Sequence, residues 1–536
     1  MSTLELRGLA ASGGIAIGRA LHWREPAGDA DGDAVAALAA AAEELGRAAE
    51  RLHAQGLVEE AEILDVNRLM AEDPSLVAEV ERLARELPAA EALRRATAKH
   101  ADLLAALHDE VLAARATDVR QLGLRAARAL GGAGPPVPAG ASVLVAHDLG
   151  PAEVAELDLG EGAIEGIALA EGAATSHAAI IARSLGIPLV VGIGEGLLGV
   201  EDGARVVLEG DEGRLLVEPS PYRLAHAEQD LRARRQRRSE LASTRTLPAV
   251  TRDGRAIRLL CNACTPAEVA AGLAAGAEGV GLLRTELAFL AAPAWPSEGQ
   301  HVSVLAPALR LLEGRVATVR TLDFGADKTP PFLAGIQQRG LALMLAHPDA
   351  LAAQLRAIVA AGSGTDLRIL LPLVEYAADV HAVRALVGRG VTLGAMIETP
   401  TAAGRAAEIA AAADFISIGT NDLVQYTLGL DRDRPVASAT TATEPVILRL
   451  IGQIVSAAHA AGKTVEVCGE AAGEPEVAEL LVGLGVDELS VSPARLDEVR
   501  AAVRALSAAD ATEAARLAQL RDESGEVVGG RGGVGA

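Results

Sequence analysis

The sequence predicts an α/β multidomain protein: an N-terminal α/β domain interrupted by an inserted all-α domain, followed by a C-terminal (β/α)8 TIM barrel. The chain has 536 residues, which is long for one ordinary domain and enough for two or three. A stretch rich in Ala, Leu, Glu and Arg with helical periodicity separates two regions in which short apolar strands alternate with helices. In the second of these regions the strand, loop and helix pattern repeats about eight times, the number that such a barrel requires.

The N-terminal α/β domain is predicted over residues 1–28 and 131–220. Residues 4–21 are interpreted as a turn and a strand, and a Gly/Pro-rich hinge at 131–138 marks the return from the insert. Five further strands are predicted from short apolar runs, at 142–146, 163–170, 189–191, 205–209 and 214–217.

The insert is predicted over residues 29–130 as long helices with breaks near Gly56, Pro74 and Pro88. Helices of this kind expose a face to a partner as often as they bury one, so both interpretations stay open. A charged, Arg-rich segment at 221–247 is predicted to be a linker helix, because acidic residues surround it and no aromatics interleave as in a nucleic-acid arm. The barrel is expected over 248–528, followed by a disordered tail at 529–536.

The composition restricts the possible partners. A formal net charge of −23 argues against nucleic acid or an anionic membrane and favours a basic partner protein. No signal-like pattern and no long uncharged apolar run is evident, so we expect a cytoplasmic protein without membrane insertion. Cys261 and Cys264 have the spacing of a redox or zinc pair, but no second pair completes a site, and we expect two small residues of a strand-to-helix loop.

His177 is the first candidate for chemistry. An apolar run, a turn of small residues and an amphipathic segment that ends at Gly186 and Pro188 place it in the first turn of a helix. The free N–H groups and the positive end of the helix dipole favour a neutral imidazole and an incoming anion there, so the ring could accept a phosphoryl group. The alternative is that Thr175 or Ser176 merely caps the helix and His177 has no role.

The barrel supplies the second set of candidates, because catalytic residues lie at the C-terminal ends of barrel strands. The predicted strands are 258–261, 279–283, 317–321, 368–372, 392–398, 415–419, 464–468 and 488–491. Arginines at or after the strand ends can bind phosphate oxygens in paired fashion, namely Arg284, Arg320 and Arg432. Glu398 and Asp422 offer oxygen ligands to a hard divalent cation such as Mg²⁺. Lys328 and Cys468 follow strand ends as well.

The segment GAATSHAAIIARSLGIP, residues 172–188, resembles the phosphohistidine segment of the phosphoenolpyruvate-utilising enzymes, above all that of the enzyme I type of the bacterial sugar phosphotransferase system. The strand-end motifs GLLRTE, RTLDFGADK, IETP, SIGTNDLVQYT and VCGE resemble the same family and occur in the same order. The resemblance therefore extends over nearly the whole chain.

This resemblance implies a function and a role for each motif residue. The phosphoryl group of phosphoenolpyruvate would pass to His177 and then to a histidine of the phosphocarrier protein HPr, as the first step of sugar uptake, with release of pyruvate. Cys468 would protonate the enolate carbon, a role that suits a thiol with a near-neutral pKa. Glu398 and Asp422 would bind Mg²⁺, and phosphoenolpyruvate would be bound by Arg284, Arg320, Lys328, Asn421, Asp422 and Arg432. The insert would dock HPr, and the barrel would form a homodimer.

The sequence also departs from the family pattern. Asn67 stands where the family commonly has histidine, and the loop at 330–340 is shortened, so that Arg339 matches the first of two arginines and Ala342 replaces the second. Two alternatives are therefore considered. A pyruvate phosphate dikinase or phosphoenolpyruvate synthase would need a large ATP-binding domain, for which the residues before the barrel leave no room. A catalytically idle regulatory protein is disfavoured by the retention of His177 and Cys468.

Overall fold

A computed structural model describes residues 3–23, 32–54, 57–106, 110–131, 136–157, 163–290, 292–325, 328–430 and 439–520. The chain divides into two compact units, Met1–Arg237 and Arg238–Ala536. Arg432 and the predicted tail at 529–536 lie outside the described residues. No helix of the described segments combines the length and the apolar character that crossing a membrane requires.

The first unit contains an eight-stranded mixed sheet in the order β1-β8-β7-β3-β4-β5-β6-β2. Strands β3 to β6 are parallel neighbours, and β1, β2, β7 and β8 pair antiparallel at the two sides. The strands are β1 Leu4–Arg7, β2 Leu9–Ser12, β3 Ile15–His22, β4 Ser142–Ala146, β5 Ile164–Leu169, β6 Leu189–Val191, β7 Arg205–Glu209 and β8 Arg214–Val217.

The prediction of a single strand within residues 4–21 was wrong, because three strands occupy this segment. Gly14 lies between β2 and β3 and has a φ of +119°, a conformation that glycine adopts without steric cost. The chain turns there, so β2 reaches the edge next to β6 while β3 enters the middle of the sheet.

The predicted all-α insert is confirmed between β3 and β4. The helices of this unit are α1 Ala34–Ala54, α2 Val58–Ala71, α3 Pro74–Leu83, α4 Ala89–Ala105, α5 Glu110–Gly131, α6 Pro151–Ala155, α7 His177–Leu185 and α8 Pro221–Ser243, which continues into the second unit. Buried leucines of the insert, such as Leu38 and Leu93, share one apolar core with Ile167 of β5 and Ile181 of α7. The insert therefore packs directly on the α/β layer that carries His177.

The second unit is the predicted closed barrel of eight parallel strands. Its strands are β9 Arg258–Ala263, β10 Gly279–Leu283, β11 Val316–Arg320, β12 Asp366–Leu371, β13 Thr392–Ile397, β14 Phe415–Ile418, β15 Val465–Val467 and β16 Glu488–Val491. The helices around it are α9 Pro266–Ala274, α10 Glu298–Arg310, α11 Gly340–Ala346, α12 Pro348–Ala361, α13 Ala377–Val387, α14 Pro400–Gly404, α15 Ala406–Ala412, α16 Thr420–Leu428, α17 Pro445–Ala460, α18 Pro475–Leu484, α19 Leu496–Ala505 and α20 Ala508–Gln519.

Side chains alternate along each barrel strand between the helix layer and the interior. Leu282, Leu370, Met396, Phe415 and Cys468 form a small interior cluster that is separate from the large core beneath the helices. The expectation that Cys261 is a loop residue was wrong: it lies within β9, is fully buried and packs in the helix-facing core, while Cys264 follows the strand.

Candidate functional site

His177 is the first residue of α7, as predicted from the turn of small residues before it. Ser176 is the N-cap, and its hydroxyl accepts a hydrogen bond from the backbone N–H of Ala179 at 3.2 Å. The predicted N-cap and the histidine that follows it therefore lie together at the start of α7. The cap stabilises the first turn of the helix, to which the imidazole is attached. Gly186, with a φ of +68°, ends the helix.

The His177 ring is bound by a carboxylate from the helical insert. Its Nδ1 lies 2.8 Å from Oδ2 of Asp118 on α5, and the Asp118 side chain is 5% exposed. Because a carboxylate only accepts hydrogen bonds, this contact assigns the proton to Nδ1 and leaves the lone pair on Nε2. Arg115 Nη1 lies 3.4 Å from the same Asp118 oxygen. The contact with Asp118 therefore leaves Nε2 as the ring nitrogen that does not face the carboxylate.

In the barrel, two of the predicted cations share one buried carboxylate. Arg320 ends β11, and its Nη2 donates to Glu286 Oε1 at 2.5 Å, while Lys328 Nζ donates to the same oxygen at 3.1 Å. Burial by itself would raise the pKa of Glu286, but Arg320 and then Lys328 outweigh it and hold the pKa at about 2. Arg284 adds a smaller contribution in the same direction. These cations are thus oriented before any ligand binds.

A group of carboxylates lies at the ends of β11, β13 and β14. Glu398 Oε1 accepts a hydrogen bond from the backbone N–H of Leu373 at 2.7 Å. Burial, then the charges of Asp422 and Asp323, raise the pKa of Glu398 well above its ordinary value. Arg339 lies between the other two, with N–O distances of 3.6 Å to Asp323 and 3.5 Å to Asp422. A bound cation would offset the repulsion between these carboxylates.

The donor chemistry of this group fits Mg²⁺. Asp323 Oδ1 is buried and has no hydrogen-bond partner among the described residues. A Cβ at Gly419 would lie 2.6 Å from Glu398 Oε2, so glycine leaves this oxygen open. Within the described ranges no three His, Cys, Asp or Glu side chains already surround a cation position. Mg²⁺ commonly takes one or two protein carboxylates and completes its octahedron with substrate oxygens and water, so two carboxylates would be enough protein ligands here.

The last two predicted residues follow two neighbouring strands of the barrel, β14 and β15. Asn421, in the first turn of α16, accepts a hydrogen bond from the backbone N–H of Glu470 at 3.0 Å and so connects the loops after β14 and β15. Cys468 is 3% exposed directly after β15, and the Ser417 hydroxyl lies 3.3 Å from its sulfur.

The expected near-neutral pKa of Cys468 was wrong. Burial, and next the nearby Glu466, raise the pKa of this thiol to about 12. The sulfur therefore keeps its proton at neutral pH, which suits a proton donor and not a nucleophile.

Several site residues were missed at the level of sequence. Three acidic residues lie inside motifs of the sequence, but the charge pattern along the chain did not indicate a role for them: Asp118, Glu286 and Asp323. Asp118 is 59 residues from His177, so only packing of the insert on α7 brings the two together. Glu286 and Asp323 could have been found from the sequence, because each closely follows an arginine at the end of one of two consecutive barrel strands.

Arginine and lysine side chains held at the barrel rim are suited to binding phosphate and carboxylate groups, and a histidine at a helix start is suited to accepting a phosphoryl group. Three family models match the chain: "PEP-utilising enzyme, N-terminal" over residues 7–115, "PEP-utilising enzyme, mobile domain" over 138–213 and "PEP-utilising enzyme, PEP-binding domain" over 238–508. The chain belongs to the phosphoenolpyruvate-utilising enzyme family.

Two individual relatives agree with this assignment. The multiphosphoryl transfer protein of Rhodobacter capsulatus is 38% identical over 489 residues, which are 88% of this chain but only 59% of that protein. The phosphoenolpyruvate-protein phosphotransferase of Streptomyces coelicolor is 38% identical over 553 residues, 97% of each chain. A solution structure titled Enzyme I (nEIt) is 30% identical and matches 43% of this chain and 99% of that chain with a TM-score of 0.33.

Proposed function

We propose that the protein is a phosphoenolpyruvate-protein phosphotransferase, which moves the phosphoryl group of phosphoenolpyruvate to His177 and then to a histidine of HPr. The observation that carries the proposal is the buried Asp118 carboxylate on Nδ1 of His177, which presents Nε2 at the start of a helix. Residues 1–28 and 131–220 would form the phosphohistidine domain, and 29–130 the carrier-docking insert. The supporting context is a family of phosphoenolpyruvate-utilising enzymes and a barrel rim with paired cations.

Substrate binding would use the cations that Glu286 orients. Arg320 and Lys328 are held by one buried oxygen, so little side-chain entropy is lost when they bind a phosphate or carboxylate group. Arg284 lies close enough to lower the pKa of the same Glu286. Asn421 and Arg432 complete the set that we propose for phosphoenolpyruvate, although Arg432 lies outside the described residues.

Glu398 and Asp422 would hold Mg²⁺, with Asp422 also facing the substrate. The chemistry that the ion supplies when bound is neutralisation of negative charge on the phosphoryl and enolate oxygens. Arg339 already neutralises part of the charge on Asp422 and Asp323, at 3.5 and 3.6 Å. These contacts hold the carboxylates of the site in place.

Phosphoryl transfer would break the bond between phosphorus and the bridging oxygen and form a bond from phosphorus to Nε2 of His177. The electron pair left on oxygen becomes the enolate of pyruvate. Positive charge develops on the imidazole as Nε2 bonds to phosphorus, and Asp118 stabilises it through the 2.8 Å hydrogen bond to Nδ1. Cys468 then gives its Sγ proton to the enolate carbon to form pyruvate, and the Ser417 hydroxyl can donate a hydrogen bond to the thiolate that remains.

The second transfer needs a protein acceptor. The insert that contributes Asp118 exposes leucines that could contact one: Leu69 of α2 is 58% exposed and Leu103 of α4 is 61% exposed. Because this chain has a net charge of −23, an acceptor with a basic docking face is favoured. The acceptor that we propose is HPr, and the process that the transfer would serve is sugar uptake. The protein would act in the cytoplasm as a homodimer that forms through the barrel.

The test is transfer of label from phosphoenolpyruvate in the presence of Mg²⁺ and without ATP. We expect acid-labile label on the wild type and on His147→Ala, a control at a half-exposed histidine after β4, and none on His177→Ala. Added HPr should remove the label. Label that stays on the protein would refute HPr as the acceptor. Absence of label from the wild type would refute the phosphotransferase activity and favour a docking protein without catalysis.

A further inference from the structure

Gln354 is a fully buried polar residue in the helix layer of the barrel. It lies on α12, and its neighbours on the buried face of that helix, Leu351, Leu355 and Ile358, belong to the large apolar core. A buried amide is costly unless both its donor and its acceptor have hydrogen-bond partners. The partners of Gln354 therefore determine what this residue contributes.

Both ends of the Gln354 amide contact strand ends that carry the proposed substrate-binding cations. Its Oε1 accepts a hydrogen bond from the backbone N–H of Leu322, just after β11, at 2.9 Å. Its Nε2 donates to the hydroxyl of Thr285, just after β10, at 3.1 Å. The Thr285 hydroxyl in turn donates to the backbone carbonyl of Arg320 at 3.0 Å. Gln354 and Thr285 thus connect the ends of two neighbouring strands.

The donors and acceptors of this hydrogen-bonded chain fit together in one direction. The Leu322 N–H can only donate and the Arg320 carbonyl can only accept, which fixes the orientation of the Gln354 amide and of the Thr285 O–H. Both side chains are buried, so bulk water does not replace a bond that is lost. Removal of either polar group would therefore leave a buried donor or acceptor without a partner.

The pairing of β10 with β11 does not extend to these strand ends. The register of the pairing shifts within β10, and the last paired residues are Leu283 and Val319. Beyond them, the Thr285 hydroxyl binds the backbone of Arg320, and Glu286 binds its guanidinium. The backbone and the side chain of this arginine are therefore held by two consecutive residues.

The residues held in this way orient the charged groups of the proposed site. Arg320 Nη2 donates to Glu286 Oε1 at 2.5 Å, and its Nη1 lies 3.4 Å from Oδ2 of Asp323. Asp323 directly follows Leu322, whose N–H is bound by Gln354. Because recognition of a phosphate or carboxylate depends on the direction of the guanidinium N–H groups, a shift of this backbone would weaken ligand binding.

We propose that Gln354 is a positioning residue for phosphoenolpyruvate, which acts through Thr285 to hold the Arg320 guanidinium in its binding orientation. This inference rests on the proposed function, because it takes Arg320 to bind phosphoenolpyruvate. Gln354 lies in the helix layer and does not contact the substrate itself. Neither Gln354 nor Thr285 gives or takes a proton during the transfer.

The test measures substrate binding and folding separately in the first transfer, which needs no protein acceptor. Acid-labile label on the full-length protein is followed by rapid quench in single turnovers, at increasing concentrations of labelled phosphoenolpyruvate, with Mg²⁺ and without ATP. The concentration that gives half of the maximal rate reports substrate binding, and the final amount of label reports the fraction of active protein. A purely structural role would lower the final amount of label without changing the half-saturating concentration.

Two variants remove the hydrogen-bonding groups and keep the side chains similar in size: Thr285→Val and Gln354→Met. In both we expect the half-saturating concentration of phosphoenolpyruvate to rise about tenfold. Thr285→Ser keeps the hydroxyl and should stay close to the wild-type value. Thr318→Val is the matched control, because Thr318 is fully buried in β11 and its hydroxyl has no partner among the described residues. This control should also keep the wild-type value.

A wild-type half-saturating concentration in folded Thr285→Val or Gln354→Met would overturn the proposal. An equal rise in Thr285→Ser or Thr318→Val would also overturn it, because the effect would then not depend on these hydrogen bonds. If Thr285→Val does not fold, Gln354→Met decides the question by the same criterion. Absence of label from the wild type is a different outcome, which would refute the proposed function and this inference with it.

Discussion

Replacement of Asp118 by asparagine tests how the protein prepares its nucleophile. Asp118 accepts the 2.8 Å hydrogen bond from Nδ1 of His177 and is 5% exposed, so water does not screen the contact. The asparagine oxygen can still accept this bond, but the negative charge that stabilises the developing imidazolium is lost. The His177 ring should therefore keep its position, but no negative charge stabilises the imidazolium that forms during transfer.

The magnitude follows from the strength of the lost interaction. A hydrogen bond to a charged group contributes about 1.5–3 kcal/mol, and each 1.4 kcal/mol corresponds to about a factor of ten in rate. We therefore expect Asp118→Asn to lower the rate of label uptake from phosphoenolpyruvate about ten- to a hundredfold, with the final amount of label unchanged.

Rapid-quench measurement of acid-labile label in a single turnover gives this rate. Asp102→Asn is the matched control, because Asp102 lies on α4 of the same insert and forms an ion pair with Arg120 at 2.7 Å while its side chain is 72% exposed. The control should retain the wild-type rate. A decrease of less than about threefold in Asp118→Asn, or an equal decrease in both variants, would refute the role of Asp118 in transfer.

Three further predictions concern the barrel. Glu286→Gln should lower the free energy of unfolding at pH 7 by about 3–5 kcal/mol in denaturant titrations, because Arg320 and Lys328 lose their shared counter-charge. The pKa of Glu286 is held at about 2 in the folded protein, so the difference in free energy of unfolding between wild type and Glu286→Gln should be complete above about pH 4.5. This difference should disappear as the pH falls towards 2, and a difference that is constant with pH would contradict the role of Glu286. Burial lowers the pKa of His301 from 6.5 to about 4, so the unfolded chain binds the proton first and stability falls as the pH drops below about 6.5. His301→Leu should therefore reduce the loss of unfolding free energy between pH 7.5 and pH 5 by about 2 kcal/mol, and equal losses in both proteins would refute the assignment. The buried Cys468 thiol, with its pKa raised to about 12, should resist iodoacetamide at pH 8 in the native protein and react after denaturation, as followed by mass spectrometry; rapid native labelling would show that the thiol is accessible and ionised.

Local patterns in the sequence determined the elements. Strands such as β7, Arg205–Glu209, and β10, Gly279–Leu283, have the bounds that the sequence predicted, because a short segment with an apolar centre between turn residues has few alternatives to a buried strand. The eight strands alternating with helices were sufficient to predict the barrel, since its closure satisfies every strand edge. His177 was placed at its helix start by the same kind of local signal.

The partners of the site residues were decided by the tertiary structure alone. Asp118 contacts His177 across 59 positions, and Glu286 contacts Arg320 across 34, so neither pairing leaves a trace in local periodicity. The pKa values depend in the same way on burial and on charges brought from other strands, which is why a neutral-range thiol was expected at Cys468 and a strongly raised pKa was found. The alternation of side chains along a strand shows that Glu466 and Cys468 share a face of β15. The sequence does not show which side chains meet inside the closed barrel. Only the tertiary structure shows that Glu466 has no hydrogen-bond partner there among the described residues.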